Sequence, residues 1–404
     1  MTTYSRESLD LLRDKVDLVE IVSSYIQLKP QGRTYKGLCP FHEEKTPSFV
    51  IQKGDGHYHC FGCGAHGDAI AFLMSYLKLS FMEAVEFLSE KFQIPLQKTT
   101  RDIPSLGPSK KDLKAVLAEA TEFFHSILLH TDEGQRALKY LYNRGIDLEF
   151  IKLFKIGYAP RKGALFGKYM HHLRYKSDLL EKAGLIKTTN EGTKKVFFTG
   201  RVMFPILDAT GAIIAFSARK IEEAAFGPKY INTCETSLFK KSKTLYGLSF
   251  SRRKIAKEQR AIIVEGQIDA LRLIQEGFDI TVAGQGTAFT QEHVDELLHL
   301  GVKKVYLALD GDAAGQAAIA KIGNLFQKVG VDVFILPIPD GLDPDGILKE
   351  KGPEHFKMLI DQAQDYLTFL IHFLSKESDM NSPSQKNHLV STIATRIKTW
   401  DHPL

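Results

Sequence analysis

Two short pairs of metal-ligand residues, Cys39-Pro-Phe-His42 and Cys60-Phe-Gly-Cys63, stand seventeen residues apart near the start of the chain. A C-x-x-H pair and a C-x-x-C pair across a hairpin can close on one tetrahedral ion, with three thiolates and one imidazole. The pattern predicts a structural zinc site made of Cys39, His42, Cys60 and Cys63. His57, His59 and His66 compete for the fourth place; His42 is preferred because it completes the short pair with Cys39. Residues 48–52 and 57–60 read as strands joined by Lys53-Gly54-Asp55-Gly56, and Gly62 and Gly64 let the second pair turn tightly. So small a segment has little core, so zinc contributes its folding energy. Four protein ligands fill the shell, which argues against catalysis at this ion.

Three of the four cysteines lie within the first 63 residues, so they do not resemble a disulfide scaffold. The 404 residues are too many for one modest core, and about two to four domains are expected. The formal charge is 53 − 48 = +5, mildly basic and compatible with nucleic acid. The N-terminus is polar and no apolar run reaches membrane-spanning length, so a cytosolic protein is expected.

Residues 5–28 carry apolar positions at threes and fours and read as one helix ended by Pro30 and Gly32. Around the knuckles, Lys29, Arg33, Lys36, Lys45 and Lys53 interleave with Phe41, Phe49, Tyr58 and Phe61. That mixture suits single-stranded nucleic acid, with phosphates on the charges and bases on the rings. The aromatics equally serve to fill the small core around the zinc. Residues 68–77 and 81–92 are helices, the second with the capping-box spacing Ser80 to Glu83. Pro104, Gly107, Pro108 and a loss of periodicity mark a linker. The domains expected are a zinc-binding domain over 1–97, a linker over 98–110, a basic α+β subdomain over 111–255, a metal-binding α/β subdomain over 256–345 and a helical segment over 346–404. Arg144, Lys194, Lys195, Arg201, Arg219, Lys220, Lys229, Lys240, Lys241, Lys243, Arg252 and Arg253 make the middle segment dense in cations.

The α/β segment carries apolar runs that end in carboxylates. Residues 261–264 lead to Glu265, 303–309 to Asp310-Gly311-Asp312, and 331–339 to Asp343-Pro344-Asp345. Short apolar runs between helical patterns (268–275, 291–298, 314–327, 353–360) predict a parallel sheet, and ligands of such sheets sit at the carboxyl ends of strands. Carboxylates gathered there repel, and a hard divalent cation such as Mg2+ relieves the repulsion beside phosphates. Gly284-Gln-Gly286-Thr287, after a further strand, is a weaker candidate for bringing backbone donors to a phosphate. No G-x-x-x-x-G-K-[ST] motif is present, which disfavours a P-loop ATPase. Trp400 to Leu404 does not read as a natural domain end, and a further module is expected after it.

Cys39-Pro-Phe-His42 with His59-Cys-Phe-Gly-Cys63 resembles the zinc-binding domain of bacterial replicative primases. Gly200-Arg-Val-Met-Phe-Pro-Ile206 and Lys229-Tyr-Ile-Asn232 resemble their polymerase-core motifs. Glu265-Gly-Gln-Ile-Asp269 and Asp310-Gly-Asp312 with Gly315 resemble the acidic signature of the topoisomerase–primase fold. The resemblance spans nearly the whole chain in the family's domain order. It implies a catalytic centre of Glu265, Asp269, Asp310, Asp312, Asp343 and Asp345, with Mg2+ or Mn2+ on Glu265, Asp310 and Asp312. It places Arg144, Arg201, Lys229, Tyr230, Asn232 and Lys241 in a neighbouring groove for nucleic acid and nucleotide. Asp269 either holds an ion or orients the site from behind. Gln267, Gly346 and Cys234 depart from the family's usual residues, and none of these changes removes a presumed metal carboxylate.

The implied activity is RNA primer synthesis on single-stranded DNA from ribonucleoside triphosphates, at the bacterial replication fork. The family's C-terminal domain for the replicative helicase has no counterpart in these residues, so docking of that partner is not expected from this stretch. A metal-dependent nuclease or topoisomerase-like enzyme shares the acidic signature but leaves the zinc unit unexplained. A non-catalytic zinc-bearing nucleic-acid-binding protein leaves the carboxylates unexplained.

Overall fold

The computed structural model describes residues 4–97, 108–189, 191–222, 227–286, 288–376 and 381–401. The chain divides into two compact units, Met1–Gly107 and Pro108–Leu404. Most of the linker read over 98–110, Thr287, and the last three residues fall outside the described residues.

In the first unit, helices α1 (Arg6–Lys15) and α2 (Leu18–Ser23) replace the single helix that periodicity predicts. Val16 is extended, and the Asp17 carboxylate accepts from the amides of Val19 and Glu20, which starts a new helix there. A local side-chain acceptor of this kind competes with continuation of the helix. Strands β1 (Lys29–Gln31), β2 (Thr34–Gly37), β3 (Phe49–Gln52), β4 (Tyr58–Cys60) and β5 (His66–Gly67) form one antiparallel sheet in chain order. Helices α3 (Ala69–Tyr76) and α4 (Phe81–Phe92) follow, and α4 carries the Ser80/Glu83 capping box. The core is aromatic: Phe49 stacks on Tyr58 at 4.9 Å, Phe72 on Tyr76 at 5.2 Å, and Phe41 closes the cluster 5.9 Å from Phe72.

The second unit begins with α5 (Lys110–His130), α6 (Asp132–Asn143) and α7 (Leu148–Leu153). Strand β6 (Gly157–Ala159), helices α8 (Ala164–His172) and α9 (Ser177–Lys182), and the hairpin β7 (Ile186–Thr188) and β8 (Lys194–Val196) come next. Strands β9 (Arg201–Leu207), β10 (Ile213–Lys220) and β11 (Tyr230–Asn232) join β6 in a sheet of order β11-β10-β9-β6, and α10 (Leu248–Glu258) leads out of it. The α/β part contains β12 (Arg260–Val264), α11 (Gln267–Gln275), β13 (Thr281–Ala283), α12 (Gln291–His299), β14 (Lys304–Leu307), α13 (Ala313–Gln327) and β15 (Asp332–Ile335). It continues through α14 (Pro344–Asp361) and β16 (Gln364–Asp365) to α15 (Tyr366–Ser375) and α16 (Pro383–Ile397).

Its sheet has the order β13-β12-β14-β15-β16, parallel except for the short edge strand β16. Successive residues of β12 and β14 are buried, so both faces of the central strands are covered, which suits their Val, Ile and Leu content. The chain moves outward from β12 to β13 and then crosses back to β14. The connection order therefore reverses between the adjacent strands β12 and β14, the place where ligands enter sheets of this class.

One continuous core runs from Leu128 and Phe204 through Ile263 and Leu307 to Phe356, Tyr366 and Trp400, so the segments within 108–404 share their packing. Helix α14 starts nine residues before the expected 353–360 helix. Asp343 caps it by accepting from the Gly346 amide, and Pro344 occupies the first helical position, where its missing N–H costs nothing. Gly352, at φ 78°, bends it before Pro353.

Candidate functional site

The zinc ligands come from the loop between β2 and β3 (Cys39, His42), the end of β4 (Cys60) and the turn between β4 and β5 (Cys63). The ligand atoms of Cys39, His42, Cys60 and Cys63 all lie within 4.8 Å of one another, and His57, His59 and His66 stand outside that group. Gly64 has φ +75°, and a Cβ on Gly62 would meet His42 Nε2 at 2.5 Å, so both knuckle positions are restricted to glycine. Burial pushes the Cys39 thiol up to about 12, aided by the thiols of Cys60 and Cys63 against it. Burial acts the same way on Cys60, but hydrogen bonds from Ser48 and from the Cys63 and Gly62 amides outweigh it and bring that thiol down to about 6. Such crowding of sulfur fits a dication, and the site holds zinc.

Sequence reasoning missed Glu44. Its carboxylate accepts from the Cys39 amide (2.6 Å), the Ser48 amide (3.1 Å) and the Ser48 hydroxyl, and lies 3.3 Å from His42 Nε2. His42 Nδ1 faces the Cys60 sulfur at 3.8 Å. The imidazole therefore turns Nδ1 toward the sulfurs and Nε2 toward a carboxylate, the arrangement that fixes tautomer and ring direction in metal-ligating histidines. Of the four aromatics around the knuckles, Phe41, Phe49 and Tyr58 pack together in the core and Phe61 is 74% exposed beside His59.

The acidic centre lies at the reversal between β12 and β14. Glu265 follows β12, Asp310 follows β14, Asp312 caps α13, Asp269 sits in the first turn of α11 and Asp343 caps α14. A Cβ on Gly315 would fall on the Asp310 carbonyl, so α13 can approach this closely only with glycine there. Asp310 is pushed up to about 6, by burial first and then by Glu265, Asp343 and Asp312, with Lys229 opposing. Its buried Oδ1 has no hydrogen-bond partner. Glu265 is raised by burial and by Asp312, against a hydrogen bond from the Asp310 amide. Asp269 is raised well above its ordinary value by burial and then by Asp343, Asp310 and Asp345. The carboxylates are set more widely than the zinc quartet, which is the one tight ligand cluster among the described residues. A looser all-oxygen set with an orphaned carboxylate oxygen fits Mg2+, which keeps part of its water shell.

Asp345 differs from the other carboxylates. Its side chain is 2% exposed and engages Arg144 Nη1 at 2.8 Å and Arg272 Nε at 3.3 Å. Arg272 Nη1 also donates to the Gly145 carbonyl at 2.7 Å, and the Asp345 amide donates to Asp269 Oδ1 at 3.3 Å. Asp345 thus ties α6, α11 and α14 together. Arg272 and Tyr140 carry no local sequence signal: their partners are distant in the chain. Arg219 lies buried between the faces of Tyr140 (5.1 Å) and Tyr230 (5.2 Å). Arg201 is buried and donates to the Lys229 carbonyl at 3.3 Å, and Asn232 Nδ2 donates to the Gln285 carbonyl. Lys229 is exposed, while Lys241 is half-buried on the turn before α10.

Three family models match this arrangement in order: the CHC2 zinc finger over 4–103, the DNA primase catalytic core N-terminal domain over 123–252, and a Toprim-like domain over 262–348. The DNA primase of Chlamydia pneumoniae is 46% identical over 403 residues, covering 99% of this chain and 67% of that protein. The chain belongs to the DNA primase family. The DNA primase of Listeria monocytogenes is 35% identical over 409 residues, covering 99% of this chain and 65% of that primase. The chain thus spans about two thirds of the length of these primases. Among solved primase structures, the zinc-binding and RNA polymerase domains of the Aquifex aeolicus primase align over 98% of this chain and 93% of theirs, with TM-score 0.63 and 32% identity. A primase catalytic domain bound to single-stranded DNA aligns over 72% of this chain and 91% of its own, with TM-score 0.64 and 28% identity.

Two outcomes are expected. Glu44→Ala should lose zinc to a chelator about 10- to 100-fold more readily than wild type, measured with a colorimetric zinc indicator. Equal retention would exclude the carboxylate from the zinc shell. Ionised Asp310 is the destabilising form, so its contribution to stability falls as pH rises through about 6. At neutral pH without Mg2+, Asp310→Asn should therefore raise the melting temperature by about 1–3 °C. A lower melting temperature would contradict the crowding.

Proposed function

We propose that the chain is a DNA-directed RNA polymerase that lays short RNA primers on single-stranded DNA for replication. The observation that carries this reading is the carboxylate set at the β12/β14 reversal, in a chain that also bears the primase zinc finger. The reaction joins ribonucleotides: a 3′-hydroxyl attacks the α-phosphate of a ribonucleoside triphosphate, and pyrophosphate leaves. Glu265, Asp310 and Asp312 would hold Mg2+ or Mn2+, with Asp343 and Asp269 adding negative charge beside them. Such ions would supply positive charge that favours the deprotonated hydroxyl and offsets charge on the phosphate oxygens.

This chain's own residues do the rest. Lys229 and Lys241 hold phosphates, and such contacts position a strand without reading its sequence. Asp345 acts as a positioning residue: clamped by Arg144 and Arg272, it fixes the start of α14 and, through its amide, the Asp269 carboxylate. Arg219, pinned between the Tyr140 and Tyr230 rings, supplies a fixed positive charge there. The zinc-bearing unit serves template recognition, where exposed Phe61 offers a ring face to an unpaired base. We further propose, as the sequence suggests, a zinc-binding domain over 1–97 joined by a linker over 98–110 to the polymerase core.

The test supplies single-stranded DNA, four ribonucleotides and Mg2+, and resolves the products on a denaturing gel. Wild type should yield short RNA. Glu265→Gln and Asp310→Asn should reduce the yield by about a thousandfold or more. Undiminished synthesis by either variant would overturn the assignment, and template cleavage without RNA would favour a nuclease.

A further inference from the structure

His293 is completely buried, yet no part of the proposed chemistry uses it. It stands three residues after the Thr290 cap, in the first turn of α12. Its Nδ1 lies 3.1 Å from the Thr290 amide, and its Nε2 lies 2.9 Å from the Lys241 carbonyl. The amide can only donate and the carbonyl can only accept. Nδ1 is therefore the acceptor, Nε2 carries the proton, and the ring is neutral.

Burial and the helix N-terminus favour the neutral ring, while the nearby carboxylates oppose it. Burial pushes the His293 pKa down, against hydrogen bonds to the Lys241 and Thr244 backbone and the charges of Glu292 and Glu296. Glu296 is paired with Arg252 of α10 at 2.9 Å. The helix N-terminus disfavours a cation in its first turn. The Phe289 ring covers the imidazole at 4.8 Å.

The other end of this contact is the turn that carries Lys240, Lys241 and Lys243. Thr244 and Lys243 donate their amides to the Lys240 carbonyl, which closes the turn. The Lys241 amide donates to Glu235 Oε1 at 3.2 Å, while its carbonyl accepts from His293 Nε2. The Thr290 hydroxyl holds the next carbonyl, that of Ser242. Lys241 is thus gripped by its backbone on both sides, and its ammonium has no carboxylate partner among the described residues.

We propose that His293 and Glu235 are positioning residues that clamp the Lys241 peptide so that its ammonium is presented to a phosphate of the bound polymer or triphosphate. This rests on the reading of Lys241 as a phosphate-binding residue. Lysine pays a large rotamer entropy on ordering. A backbone fixed at both N–H and C=O lowers the number of positions the ammonium must give up on binding.

The full chain carrying His293→Gln, Glu235→Ala or Lys241→Ala tests the clamp. Glutamine keeps the reach-back to the Thr290 amide that the capping box requires, but does not place a donor at the Lys241 carbonyl. The probes are a fluorescein-labelled single-stranded DNA oligonucleotide and, separately, ATP with Mg2+; whichever weakens identifies the source of the phosphate. His293→Gln should weaken that ligand about tenfold, as expected for loss of one positioned charged contact. It should leave kcat at saturating ligand unchanged. For the oligonucleotide, the slope of log Kd against log salt should fall by about 0.7, the signature of one lost phosphate contact. In the Lys241→Ala background, His293→Gln should add nothing. Glu235→Ala, a change at an exposed side chain, should act in the same direction and decides the matter if His293→Gln does not fold. Unchanged affinity in the clamp variants, or a full additive loss on top of Lys241→Ala, would overturn the clamp. Lys241→Ala without effect on either probe would overturn it too, while wild-type primer synthesis would still stand.

Discussion

Like charges held close together in a half-buried place govern the second unit. Glu265, Asp310, Asp312, Asp343 and Asp269 converge where β12 and β14 end, and burial compounds their repulsion. A fold does not gather carboxylates in this way for stability, because each ionised group lifts the pKa of its neighbours. The β12/β14 reversal and the caps of α13 and α14 impose it. What makes the arrangement useful is a divalent cation that favours the ionised forms the protein alone disfavours.

Holding such a centre together requires a rigid frame, and the Asp345 hub supplies one. Arg144 at the end of α6 and Arg272 on α11 meet one carboxylate at the start of α14. Removing one partner of a buried, hydrogen-bonded pair leaves the other uncompensated, at a cost of about 3–5 kcal/mol. The hub is thus strict about its own composition. The same element start that leaves Asp343 half-buried beside the centre buries the Asp345 carboxylate on Arg144 and Arg272, so two carboxylates separated by one proline meet different partners.

Much of this was legible in the chain because function marks element ends. The apolar runs before Glu265 and Asp310 placed β12 and β14 to within about two residues, and the knuckle spacing singled out the quartet that converges. Local competition was harder to read. Asp17 divides a periodic stretch into two helices, and Asp343-Pro344 opens α14 well before the apolar pattern suggests. Long-range partners carried no pattern at all. Arg144 finds Asp345 across 201 residues, and His293 finds Lys241 across 52. Three of the twelve cations that make the middle segment basic are not on the surface: Arg201, Arg219 and Arg252 are buried on rings, carbonyls or a carboxylate. Composition reports their charge but not its burial.

The central claim is that the carboxylates at the β12/β14 reversal form a divalent-cation site. Calorimetric titration of Mn2+ into the chain, with zinc retained in the knuckles, measures this directly. Wild type should bind, and Asp310→Asn should bind at least about tenfold more weakly, since it removes a charged oxygen ligand from the shell. Equal Mn2+ affinity in the two proteins would contradict the account.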